Sequence, residues 1–175
     1  PIPGFKALAI GDSGTGKTKV IEPLVAAGIT PMCVFTEPYD ILGKTDPEKV
    51  HWTYIKPVTS SIATLQASAK RVGTMGPELL QKQTDMGRDA TAQYYAILNA
   101  IQNFKCQRTG KEFGDVTEWG TDKCFVLDSL SGLTIAAEKL AVGEKYAKTQ
   151  PEFQIIMKVI ENLINLMTTG FGCHV

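Results

Sequence analysis

Gly11-Asp12-Ser13-Gly14-Thr15-Gly16-Lys17-Thr18 decides how the rest of the chain is read. It matches the pattern Gly-x-x-x-x-Gly-Lys-[Ser/Thr] in full. Glycines let the backbone turn tightly, so that several N–H groups point inward at phosphate oxygens. A helix that follows adds free donors and a dipole favourable to an anion. Lys17 brings positive charge to the β- and γ-phosphates, and the Thr18 hydroxyl suits a magnesium shell. The stretch from Gly11 through Asp12, Ser13, Gly14, Thr15, Gly16 and Lys17 to Thr18 therefore predicts a site for ATP with Mg2+.

The flanks fit a strand–loop–helix unit. Phe5-Lys6-Ala7-Leu8-Ala9-Ile10 is a short, mostly apolar run that reads as a buried strand. Residues 17–27 have helical spacing, with Pro23 shortening or kinking the helix and Gly28 as its stop. Pro31-Met32-Cys33-Val34-Phe35-Thr36 is a second apolar strand, ended by Glu37. His51-Trp52-Thr53-Tyr54-Ile55 alternates and reads as a more peripheral third strand. Residues 59–104 are mostly helical in pattern, over 60–72 and again over 89–104. The second of these puts Tyr94, Ile97, Leu98, Ile101 and Phe104 on one face. Between them, the stretch around Gly87 reads as mobile. Residues 106–122 are polar and glycine-containing, as in an extended loop or hairpin.

Lys123-Cys124-Phe125-Val126-Leu127 is another buried-strand run, with Asp128 at its end. Helices follow over 133–142 and 152–168. In the last, Phe153, Ile156, Met157, Ile160, Leu163, Ile164 and Met167 make an apolar stripe that Ile155, Val159 and Leu166 widen, which predicts a largely buried helix. Cys173-His174-Val175 reads as the first residues of a further strand. Strands alternating with helices imply a three-layer α/β domain with a mostly parallel sheet.

Composition agrees with one domain: 175 residues, 43% hydrophobic and 21% charged. No apolar run approaches the roughly 18 residues of a membrane span, and no basic leader opens the chain, which predicts a cytoplasmic protein with no membrane partner. Cys33, Cys106, Cys124 and Cys173 form no Cys-x-x-Cys pair, so a zinc ribbon and a disulfide framework are both disfavoured. Net charge is zero. Residues 44–111, however, hold ten Lys/Arg (44, 49, 56, 70, 71, 82, 88, 105, 108 and 111) against five acids (46, 48, 78, 85 and 89). That surplus suits a solvated face or a nucleic-acid-facing one.

Two carboxylates complete the predicted chemistry. Asp128, at the carboxyl edge of a buried strand, is placed to hold magnesium together with Thr18; capping the next helix is its other reading. In many P-loop ATPases a glutamate directly follows that aspartate, but here the next residue is Ser129. Glu37, emerging from a neighbouring strand on the same edge, is the candidate to align or deprotonate water, with Lys17 beside the phosphates. Tyr39 is the aromatic candidate for stacking on adenine. His51 and His174 are not spaced as ligands or as a catalytic pair.

The order of these parts carries a resemblance. Phosphate loop, then Val34-Phe35-Thr36-Glu37, then Phe125-Val126-Leu127-Asp128-Ser129 looks like the ATPase core of the RecA-like superfamily. There the strand-end glutamate activates water and the later strand ends in Asp-Ser. By position, Glu37 would be the catalytic carboxylate and Asp128 the magnesium-side acid. Together with the spacing, the phrase Arg108-Thr109-Gly110-Lys111-Glu112-Phe113-Gly114-Asp115-Val116 resembles phage-encoded ATPases of the AAA-type group. Some of those bind single-stranded DNA and promote annealing or recombination. The resemblance implies a phage ATPase acting on DNA in the host cytoplasm, in recombination, annealing, repair or replication. It also implies a homo-oligomer, ring or filament. Residues 1–175 would form one core, with a mostly helical, locally basic insertion around 56–122. In such cores the strand after Asp-Ser lies between it and the phosphate-loop strand and carries a polar sensor. That strand would begin at Cys173, so a sheet incomplete at the C-terminus, and a longer protein, are expected. Two other functions fit the loop: a P-loop phosphotransferase, or a nucleotide-gated assembly or packaging component with slow turnover. The first calls for an arginine-rich lid, whereas Arg71, Arg88 and Arg108 are scattered.

Overall fold

The computed structural model describes residues 4–11, 16–37, 46, 48–59, 61–82, 91–143, 145 and 148–175. The fold is α/β, built on a small parallel sheet. Strand β1 (Thr30–Phe35) lies in the middle, with β2 (His51–Tyr54) on one side and β5 (Lys123–Asp128) on the other. Both pairings are parallel; Phe35 stands opposite Tyr54 in one neighbour and Asp128 in the other. All three strands therefore end at the same edge.

A proline in a central strand normally forfeits a ladder bond. Here the alternation of the ladder removes the cost. Thr30 and Thr36 direct their N–H groups at Asp122 and Asp128, while Phe35 directs its carbonyl at Ile55. Odd positions of β1 thus face β2. Because β2 begins only opposite Met32, the missing N–H of Pro31 has no partner to lose.

Helices cover both faces of the sheet. Successive β1 side chains point to opposite faces. Met32 and Val34 join a large core with α4 (Ala92–Gln102), α5 (Leu130–Val142) and α6 (Gln150–Asn165). Cys33 and Phe35 join a smaller core with Ile21 and Val25. Those two belong to α1 (Ile21–Ala26), which continues a 3-10 turn over Lys17–Val20. Pro23 sits in this short helix, and Gly28 follows with a left-handed φ of 79°, so the predicted short helix and its stop are both observed.

The edge beside β2 is covered by a hairpin, the second of the two alternatives for residues 106–122. Strands β3 (Phe104–Lys105) and β4 (Glu112–Gly114) pair antiparallel. In the turn, Gln107 donates its backbone N–H to Trp52 O. Its side-chain amide both accepts from Tyr54 N and donates to Tyr54 O. One glutamine side chain thus stands in for a strand and satisfies an exposed edge. Arg108 ties the same turn to the carbonyls of Asp46 and Val50. Phe104, expected on the helix, starts β3 instead and is fully buried, because α4 ends at Gln102.

Three expectations need correction or refinement. The run from Phe5 to Ile10 is not a buried strand: Leu8 is 66% and Ile10 86% exposed. Among the described residues it pairs on one side, where Val175 N donates to Phe5 O and Ala7 N to Val175 O. Apolarity alone does not supply a covering layer. Helix α6 is not largely buried either. Ile156, Ile160 and Leu163 form its buried line, while Phe153, Ile155 and Met157 are about half exposed. Its apolar arc is wider than the strip that meets α5. The helix over Ile62–Thr74 (α2) forms as expected, capped by Ser61, but has no buried residue. A five-residue helix α3 (Pro77–Gln81) follows it. The stretch around Gly87 lies outside the described residues.

Cys173-His174-Val175 does continue the sheet. Phe125 N donates to His174 O and His174 N to Lys123 O, a parallel bridge to β5. The backbone order across the sheet is therefore residues 4–7, residues 173–175, β5, β1 and β2. Gly4 is required at the outer contact, since a side chain there would overlap the Cys173 carbonyl. Lys6 adds bonds from its ammonium to the carbonyls of Phe171 and Cys173.

Candidate functional site at the carboxyl edge of the sheet

The shared edge gathers three of the expected residues, Thr18, Glu37 and Asp128. Thr18, in the 3-10 turn after the glycine-rich loop, donates its hydroxyl to Asp128 Oδ2 at 2.9 Å. Asp128 is the last residue of β5, and the chain leaves β1 at Phe35 through a bend at Thr36 and Glu37. Ser129 Oγ donates to Glu37 Oε1 at 2.6 Å. The two carboxylates predicted to share an edge thus stand at the ends of adjacent strands, Asp128 as the last residue of β5 and Glu37 two residues past β1, and are linked through the consecutive residues Asp128 and Ser129. Lys17 donates to the carbonyl of Gly11 at 2.7 Å. Gly16 has φ 85°, the left-handed conformation that glycine tolerates. Asp12, Ser13, Gly14, Thr15 and Tyr39 lie outside the described residues.

A clamp that sequence reading missed fixes this geometry. Thr36 is fully buried. Its hydroxyl accepts from Ser129 N at 3.0 Å and donates to Ser129 O at 3.1 Å. One side chain therefore satisfies both backbone groups of the residue leaving β5, where the ladder ends. The Asp128–Ser129 peptide is cis. Ser129 then caps α5, its Oγ accepting from Gly132 N at 3.3 Å. Gly132 lies flat against the clamp; a Cβ there would collide with the Thr36 side chain. The signals were present but not interpretable alone: Thr36 before Glu37, Ser129 after Asp128, and a glycine in the first turn of α5. They acquire meaning only once β1 and β5 are known to be neighbours in register.

The oxygen-only character of the Thr18–Asp128 pair suits magnesium, a hard cation that favours hydroxyl, carboxylate and water. Cys33 lies below this edge within β1, and burial, then Cys124 and Asp128, pushes its thiol far above the ordinary range. It is a packing residue. His51 is 4% exposed, and its ring packs tilted against that of Phe113, with centroids 4.3 Å apart. Burial, then the charges of Lys111 and Arg108, lowers its pKa. It sits in β2, as expected, with no role at the edge; His174 lies in the bridge to β5. Part of the basic surplus of residues 44–111 is committed internally, Lys49 to Asp46, Lys105 to Glu112 and Arg108 to backbone carbonyls.

No protein-family model, curated protein or solved structure matches this chain. No helix among the described residues is long and apolar enough to cross a membrane.

Proposed function

We propose that this chain is a RecA-like P-loop ATPase that binds ATP with magnesium, hydrolyses it, and acts on single-stranded DNA in recombination, annealing, repair or replication. The observation that carries the nucleotide reading is the Thr18–Asp128 hydrogen bond, which joins the end of the glycine-rich motif to the strand-end carboxylate. The backbone order supports it as well: residues 173–175 run between β5 and the segment leading into the loop, as the resemblance implies.

Thr18 and Asp128 would hold magnesium, which supplies charge neutralisation on the β- and γ-phosphates. Lys17, held near the loop by Gly11, would turn to the phosphates and stabilise charge there. Glu37 is exposed at the same edge and orients a water. The water oxygen bonds to the γ-phosphorus as the bond to the β–γ bridging oxygen breaks. The water proton passes to Glu37, and ADP and phosphate leave.

The DNA part of the proposal rests on the resemblance and on the basic stretch 44–111. ATP turnover measured with and without single-stranded DNA tests it. Stimulation by DNA, with binding that weakens steeply as salt rises, is expected. Turnover indifferent to DNA, with no salt-sensitive binding, would remove the DNA assignment and leave the ATPase assignment standing.

A further inference from the structure

Ser129 carries two hydrogen bonds through one oxygen. It donates to Glu37 Oε1 at 2.6 Å and accepts from Gly132 N at 3.3 Å. A hydroxyl has one proton and two lone pairs, so both bonds can exist together. Its backbone cannot drift, because Thr36 holds its N–H and its carbonyl. Thr36 is itself buried and immediately precedes Glu37 in the chain. Glu37 is therefore anchored twice to the end of β5, once through its neighbour and once through its own carboxylate. An exposed glutamate normally samples several rotamers about three side-chain bonds. Here one carboxylate oxygen is occupied by a donor whose own position is fixed, and Oε2 is the oxygen left for water.

We infer that Ser129 is a positioning residue that holds the Glu37 carboxylate for the attack on ATP. This rests on the ATPase reading above. The residue occupies the place where many P-loop ATPases carry the catalytic glutamate itself. In this chain the carboxylate comes from the bend that follows the adjacent strand, and the hydroxyl at the vacated position orients it. The same oxygen that holds the carboxylate also caps α5. The first turn of α5 and the water-orienting group thus share one joint.

Five variants separate positioning from helix capping, with ATP hydrolysis and thermal unfolding measured on each purified protein. Ser129→Ala removes both donor and cap. Ser129→Asp keeps a capping acceptor but cannot donate, and it repels Glu37. Ser129→Thr keeps both. Glu37→Gln/Ser129→Ala is compared with Glu37→Gln alone. The inference expects kcat to fall on the order of ten- to a hundredfold in Ser129→Ala and Ser129→Asp, with KM little changed. Ser129→Thr should retain turnover, and the double variant should be no slower than Glu37→Gln, because the two residues act as a unit. Wild-type turnover in Ser129→Asp, or a loss in the double variant that multiplies the two single losses, would overturn it. Wild-type turnover in Glu37→Gln is a different result: it refutes the assigned role of Glu37, and this inference with it. A loss confined to Ser129→Ala and matched by its unfolding temperature assigns Ser129 to capping alone and also overturns it.

Discussion

Replacing Gly132 by alanine adds one methyl group at the most crowded contact near the edge. The added carbon would overlap both the Oγ1 and the Cβ of Thr36. Thr36 is fully buried and its hydroxyl is engaged twice, with Ser129 N and Ser129 O. If the threonine rotates away, two hydrogen bonds worth about 1 kcal/mol each are lost. If α5 moves instead, overpacking costs about 1–3 kcal/mol. Against either stands the helix-propensity gain of alanine over glycine, at most about 1 kcal/mol. The expected net effect is a destabilisation of roughly 1–2 kcal/mol, read as a lower urea midpoint with an unchanged slope. Gly73→Ala is the internal control. It is also helical, and nothing lies within 4 Å of the added carbon, so it should be neutral or mildly stabilising. A Gly132→Ala protein as stable as wild type would refute the close packing of α5 on the Thr36 clamp.

Other consequences are accessible to simple measurements. His51 is held below its ordinary value of 6.5 by burial first and neighbouring charges second. Below that value the unfolded chain takes up a proton that the folded chain refuses, so stability falls with pH until the folded imidazole protonates. Urea unfolding at about pH 7.5 and about pH 5 should show a smaller loss in His51→Leu than in wild type; equal losses would contradict the assignment. The four cysteines are buried and free of disulfides. Burial, then Cys173, pushes the Cys124 thiol up to about 11. A thiol reagent should label none of them quickly without denaturant, and prompt labelling of two or more would contradict the core as described.

Much of the sheet could be read from the sequence because its strands are short, apolar and punctuated. Residues 31–36 and 123–127 sit between a glycine or polar turn and a carboxylate, and both were recovered within a residue or so of β1 and β5. The alternation of His51 to Ile55 likewise found β2 and its place at the edge. Burial was harder to read, because an apolar run records what a segment could bury and not what covers it. Phe5 to Ile10 and the flanks of α6 are exposed for that reason, although their composition matches that of core elements. At the edge, individual chemistry was visible in Thr18, Glu37 and Asp128, whereas the joinery was not. The Ser129–Glu37 bond, the Thr36 clamp and the Gln107 surrogate strand each connect residues more than 50 positions apart. Periodicity carries no information about such pairs until strand order is known.

ATP affinity at fixed magnesium, compared between the wild-type protein and Lys17→Ala, bears most directly on the claim that the glycine-rich loop holds a triphosphate. Removing one charge-assisted partner of the phosphates should weaken binding roughly ten- to a hundredfold, with the fold unchanged by circular dichroism. Equal affinity in the two proteins, or no measurable ATP binding by the wild type, would contradict the account.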